Sequence, residues 1–204
     1  MSDDSRLQLL RVLSCDLRVA TVVQLGAIWE GADRRIQQLC RRGLVCTRFT
    51  PVALPELAGP TYRWRPGFPA PDYDAIAWTA AKRREETPVK RRLVVWATRS
   101  ARRLVGGVGV GLRQPLQLEH DLGVAGIYFA KRRSDVSAAQ RWCGEDAYRL
   151  LRRPTRGQKA PDGVLLCPEG RLQLVVDYLT RYPPGRLRSF HRFWSDRRVP
   201  YEWW

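Results

Sequence analysis

Arg141-Trp142-Cys143-Gly144-Glu145-Asp146, then Pro161-Asp162-Gly163-Val164-Leu165-Leu166, then Leu172-Gln173-Leu174-Val175-Val176-Asp177-Tyr178 is the stretch on which the fold of this chain turns. The acidic pair falls on a helix predicted from Ala138 to Arg153. Val164 to Cys167 and Leu172 to Asp177 are two β-prone runs around the turn Pro168-Glu169-Gly170, and they predict a hairpin. If the runs pair, Asp162 and Asp177 approach each other at one end of it. Metal-dependent phosphodiester cleavage needs two or three oxygen ligands for Mg²⁺ and a cation near the attacked phosphate. Glu145 or Asp146, Asp162 and Asp177 could supply the oxygens. The cation is out of place: Leu179 stands two residues beyond Asp177, Val175 stands two before it, and Lys159 and Arg181 have the wrong spacing. The plainer alternative makes Asp162 a turn residue and Asp177 a strand-end residue. Glu145, Asp162 and Asp177 are thus catalytic only if the chain cleaves, and Asp162 and Asp177 are ligands only if it holds Mg²⁺. The expectation is no cleavage and no cofactor.

Composition bounds the rest. The 204 residues suffice for one medium domain or two small ones, and a net charge of +16 comes almost wholly from Arg. Arg keeps its charge at every physiological pH and forks onto phosphate and guanine edges, so a polyanion, DNA first, is the expected partner. Codon bias in a GC-rich genome would explain the Arg-to-Lys ratio but not the charge excess. The five Cys are scattered without a C-x-x-C pair, which predicts neither a disulfide framework nor a zinc site and fits a reducing cytoplasm. Met-Ser-Asp-Asp starts without a basic or apolar leader, and the longest uncharged run, Val19 to Trp29, is too short to span a bilayer. No membrane association is expected.

The first 66 residues read as three helices and a hairpin. Leu7, Leu9, Leu10 and Leu13 give one apolar face. Thr21 followed by Gln24 is a capping-box pattern for a second helix. Gly31 breaks the chain, Ala32 to Arg42 predicts a third helix with Ile36, Leu39 and Cys40 inward, and Gly43 closes it. Leu44 to Phe49 and Thr61 to Arg65 would then be the two strands of a wing, giving a winged helix-turn-helix. The outward face of the third helix carries Arg34, Arg35, Gln37, Gln38, Arg41 and Arg42, residue types that bond purine edges in a major groove. The bland alternatives are a solvated helix face or a dimerisation module. Arg63 and Arg65 on the wing, with Arg186 and Arg188 on a helix predicted from Gly185 to Arg197, extend the candidate DNA contacts.

Pro66-Gly67-Phe68-Pro69-Ala70-Pro71 predicts a linker, followed by a helix from Tyr73 to about Glu86. Strands are expected at Leu93 to Trp96, Gly126 to Ala130 and Val199 to Trp204, and a helix from Thr98 to Val105. Gly106-Gly107-Val108-Gly109-Val110-Gly111 lacks the Lys and Ser/Thr of a phosphate loop and predicts a flexible loop. His120-Asp121 could mark a base or a ligand; a structural or helix-start role is the simpler expectation. Trp194, Trp203 and Trp204 could anchor a protein interface unless the monomer buries them.

In order along the chain, Tyr62-Arg63-Trp64-Arg65-Pro66-Gly67, Leu118-Glu119-His120-Asp121-Leu122-Gly123-Val124, Trp142-x-x-Glu145-Asp146, Pro161-Asp162-Gly163-Val164-Leu165, and Val176-Asp177-Tyr178 with Tyr182-Pro183-x-x-Arg186-Leu187-x-x-Phe190-His191 resemble the replication-relaxation family. That resemblance implies an α+β chain: a winged helix-turn-helix over residues 1–66, a linker and connecting helix over 67–88, and an α/β restriction-endonuclease-like, PD-(D/E)XK-type domain over 89–204, commonly degenerate. It also implies a bacterial plasmid or other mobile element, with roles in replication, relaxation, mobilisation or targeting. Double-stranded DNA is the implied partner, alongside other proteins of such a complex or a second copy of the chain. The missing Lys argues for binding without cleavage. A Mg²⁺-dependent endonuclease or nickase and a Trp-anchored adaptor are the rivals.

Overall fold

Thr21 shows how local sequence sets the first elements of the computed structural model, which describes residues 3–108, 117–152 and 160–204. The Thr21 hydroxyl accepts the Gln24 N–H at 3.1 Å while the Gln24 side chain accepts the Thr21 N–H at 2.8 Å, the capping box the sequence predicts. The chain runs from α1 (Asp3–Arg11) through a π-helical turn (Val12–Asp16) to β1 (Ala20–Thr21), α2 (Val22–Gly26), α3 (Ala32–Arg41) and β2 (Val45–Ala53). Gly31 and Gly43 bracket α3 with φ of 66° and 67°, a left-handed backbone that glycine adopts without strain.

The hairpin expected between Leu44 to Phe49 and Thr61 to Arg65 does not form. β2 pairs antiparallel with β4 (Val89–Ala97), from Val45 opposite Ala97 to Ala53 opposite Val89. β1 adds on the other side of β4, giving a three-stranded sheet in the order β1-β4-β2. β3 (Tyr62–Trp64) leaves this sheet and pairs antiparallel with β8 (Tyr201–Trp203). Strand pairing therefore crosses the boundaries expected at 66 and 89. β4 is drawn to the N-terminal helices because its second half, Leu93 to Ala97, is apolar on both faces: Val95 and Ala97 pack with α1 to α3, and Val94 packs against Leu118 and Leu122. β3 is drawn away by its rings, Trp64 stacking on Tyr201 at 5.6 Å and Tyr62 lying 5.9 Å from Trp203.

The second sheet has the order β3-β8-β7-β6-β5, with β5 at Trp142–Gly144, β6 at Gly163–Leu166 and β7 at Leu172–Asp177. β5, β6 and β7 form an antiparallel meander; β8 follows a crossover through α9 (Pro184–Asp196) and lies parallel to β7. The hairpin, the α9 helix and the closing strand agree with the sequence reading. Two expectations are corrected. The stretch from Ala138 to Arg153 is not one helix but α7 (Val136–Gln140), β5 and α8 (Glu145–Arg152), with Arg153 outside the described residues. Gly126 to Ala130 is not a strand but part of α6 (Leu118–Ser134). α6 lies between the two sheets and is apolar all round over its middle, Leu122 to Ala130, so its β-prone Ile127, Tyr128 and Phe129 are buried as a helix. Each of these side chains contributes about 2 kcal/mol by burial.

One face of the second sheet, with Trp142, Leu165, Val176 and Trp204, shares a core with α6 and the N-terminal helices. The opposite face, with Val164, Val175, Tyr201 and Trp203, packs on α4 (Tyr73–Glu86) and α9. Thr98 caps α5 (Arg99–Val105), and Gly106 ends it with φ 72°; Gly109 to Gly111 of the expected flexible loop lie outside the described residues. Among the described residues no helix is long and apolar enough to cross a membrane.

Candidate functional site

Arg18 sits between buried Leu17 and Val19, just before β1. Apolar neighbours hold its backbone inside, so its guanidinium needs carboxylates inside too. Nε and Nη2 fork onto Asp146 Oδ2 and Oδ1 at 3.0 and 2.7 Å, Nη2 lies 2.8 Å from Glu145 Oε2, and Nη1 lies 3.4 Å from Asp121 Oδ1. Burial works against the Arg18 charge, but the Asp146 hydrogen bond and the charges of Glu145 and Asp121 outweigh it and raise its pKa. His120 extends the network: Nδ1 stands 3.7 Å from Asp121 Oδ1 and Nε2 stands 3.0 Å from Asp162 Oδ2. Asp162 Oδ2 also accepts the Tyr178 N–H at 2.9 Å. One connected polar chain thus ties the N-terminal segment to α6, α8 and the end of the β6–β7 hairpin. The adjoining cavity measures about 30 Å³, room for one or two waters and well short of a pocket for an organic substrate. Beside it, burial pushes the Asp16 carboxyl up to about 7 against the pull of Arg132.

The three conditional catalytic residues are divided among different tasks. The register of Gly163 opposite Val176 does bring Asp162 and Asp177 to the same end of the hairpin. Asp162 then turns to His120 and the Tyr178 amide, whereas Asp177 is 1% exposed within β7 and pairs with Trp203. Glu145 is shared between Arg18 and Arg149, the latter at 2.6 Å. Among the described residues no three His, Cys, Asp or Glu side chains are grouped to hold a metal ion. Leu179, at the position where a catalytic Lys would stand, is a buried core side chain. Lys159 lies outside the described residues. His120-Asp121 opens α6, as the helix-start reading expects, and serves as the link between Arg18 and Asp162. Sequence reasoning missed Arg18 itself; its one signal is a lone charge within the apolar run Leu17 to Ala20.

α3 is anchored through Ala32, Ile36 and Leu39, all buried. That leaves Arg34, Gln37 and Arg41 exposed along one stripe, with Arg42 exposed and Arg35 half-buried at its edge. Gln38 falls short of the expected reader role: it is half-buried, and its Oε1 is enclosed without a hydrogen-bond partner among the described residues. The neighbouring β2–β4 ribbon exposes Arg48, Lys90 and Arg91, the last lying 5.0 Å from the exposed Phe49 ring. The other expected contacts lie elsewhere. Arg63, on β3, pairs with Glu202 at 3.3 Å while remaining 61% exposed, and Arg65 is exposed just beyond. Arg186 lies over the Tyr182 ring at 3.7 Å and Arg188 over Tyr73 at 5.3 Å. These four belong to the aromatic unit built on β3, β8 and α9. Trp194, Trp203 and Trp204 are buried within the chain, which removes them as a surface anchor.

No family model, no curated protein and no solved structure matches the chain.

Proposed function

We propose that the protein binds double-stranded DNA, reads sequence with the outer face of α3, and does not cut. The observation that carries this is the exposed stripe Arg34, Gln37 and Arg41 on a helix whose opposite face is locked into the core. Such a helix presents two Arg forks and an amide, held rigidly, to a major groove. The three-stranded sheet β1-β4-β2 beside α2 and α3 supports a winged-helix reading of this unit, with β2 and β4 as the ribbon and Arg48 and Arg91 available to phosphates. The meander β5-β6-β7 with its crossover to β8, and the shared hairpin end of Asp162 and Asp177, support a nuclease-like ancestry for the second unit. The occupation of Glu145 by Arg18 and the buried Leu179 favour holding DNA over cleaving it. A role in replication, relaxation or mobilisation of a plasmid or other mobile element follows from the family resemblance and stands with it.

Selection from randomised duplexes tests the proposal. The native protein should enrich a motif, Arg34→Ala or Gln37→Ala should relax it, and Arg186→Ala should weaken binding to all sequences alike. Absence of any enriched motif would overturn the reading role of α3. Supercoiled plasmid incubated with the protein and Mg²⁺ should stay supercoiled; nicking that disappears in Asp162→Ala would restore the endonuclease.

A further inference from the structure

We infer that a second nucleic-acid surface, for an unpaired strand, lies in the groove between α4 and the β2–β4 ribbon. Trp78, on α4, is 63% exposed, an unusual position for the largest side chain in a protein that buries Trp64, Trp142, Trp194, Trp203 and Trp204. Its indole lines a groove of about 580 Å³ whose other side is the ribbon, with Lys90 and Arg92; Glu56 and Glu86 line it too. Lys82, one turn along α4, stands 4.9 Å from the indole centroid.

The register fixes how the cations are presented. Lys90 pairs with Val52 and Arg92 with Thr50, so the two project from one face of the ribbon, about 7 Å apart along the strand. Neither has an ion pair with a described residue, whereas Lys82 has Glu86 at 3.7 Å on an exposed flank. Arg83, at the same groove, is committed inward, to Thr61 and the Leu179 carbonyl.

An exposed aromatic ring in a groove lined by cations is the construction that binds single strands: a base stacks on the ring while the cations follow the backbone. A duplex cannot use it, because a paired base keeps its faces inside the stack. The core of a protein interface is depleted of Lys, whereas Lys82 and Lys90 line this groove, where Lys82, Arg83, Lys90 and Arg92 outnumber Glu56 and Glu86. Charge complementarity therefore points to a polyanion with an accessible base. The surface uses elements other than α3, and it does not rest on the duplex-reading proposal.

The test is fluorescence anisotropy on a labelled oligothymidylate of about 12 nucleotides and on the same strand annealed to its complement. Trp78→Ala should weaken single-strand binding about 5- to 100-fold and leave duplex binding unchanged, and Trp78→Phe should keep most of the affinity. Lys90→Ala with Arg92→Ala should reduce the salt dependence on the single strand by about 1.4 in log–log slope, at about 0.7 per phosphate. Arg34→Ala with Arg41→Ala should show the reverse pattern, weakening duplex binding and leaving single-strand binding unchanged. Native single-strand affinity in Trp78→Ala, or an unchanged slope in the Lys90/Arg92 variant, would overturn the inference. Loss of both substrates in Trp78→Ala would overturn it too, since the groove would then not be a separate surface. Failure of the α3 variant alone to weaken duplex binding would count against the α3 proposal only.

Discussion

Replacing Arg18 with Met tests whether one buried guanidinium joins the two sheets. Arg18 is 13% exposed and its partners Asp121, Glu145 and Asp146 are 6%, 15% and 10% exposed. Met approximates the length of the side chain and removes the charge, leaving three carboxylates close together with no cation from Arg18. Removing one partner of a buried ion pair costs about 3–5 kcal/mol. With a urea dependence of about 2 kcal/mol per molar, the unfolding midpoint should fall by about 1.5–2.5 M at neutral pH. Arg149→Met is the control: Arg149 is half exposed, and its loss should cost less than about 1 kcal/mol. Combining Arg18→Met with Asp121→Asn, Glu145→Gln and Asp146→Asn should recover most of the stability. An unchanged midpoint for Arg18→Met would refute the account of this network.

Two further substitutions probe the frame around it. A Cβ at Gly123 would lie 2.2 Å from the Tyr178 ring, so Gly123→Ala should lower stability by about 1–3 kcal/mol; an unchanged melting temperature would mean that α6 and the Tyr178 ring are not in fixed contact. Asp16 has its pKa raised to about 7, above its value in an unfolded chain, so its contribution favours folding fully below about pH 4 and is lost as pH rises through 7. Asp16→Asn should therefore raise stability at pH 8 and change little at pH 4, and parallel pH–stability curves for the two proteins would contradict the assignment.

Local chemistry was legible where a feature needs only its neighbours. The Thr21–Gln24 box, the glycines around α3, and the turn between β6 and β7 all depend on a few adjacent residues. Partner choice was not legible. Nothing within Tyr62 to Trp64 says that its mate is Tyr201 to Trp203 rather than the nearby β2, since the deciding contacts are rings contributed from the far end of the chain. Ile127, Tyr128 and Phe129 favour a strand by type; burial between two sheets makes them helical. The acidic stretch was visible in the sequence, and the residue that occupies it was not, because Arg18 is 127 positions from Glu145 and is one of 32 arginines.

Titration of a selected duplex across about 50 to 200 mM salt asks whether α3 reads duplex DNA. The account predicts that log affinity falls linearly with log salt, by about 0.9 for each phosphate contacted. It also predicts that Arg48→Ala with Arg91→Ala lessens that slope, and that Arg34→Ala with Arg41→Ala erases the preference for the selected duplex over a scrambled one. Affinity that is flat across the salt range, or a sequence preference that survives loss of Arg34 and Arg41, would contradict it.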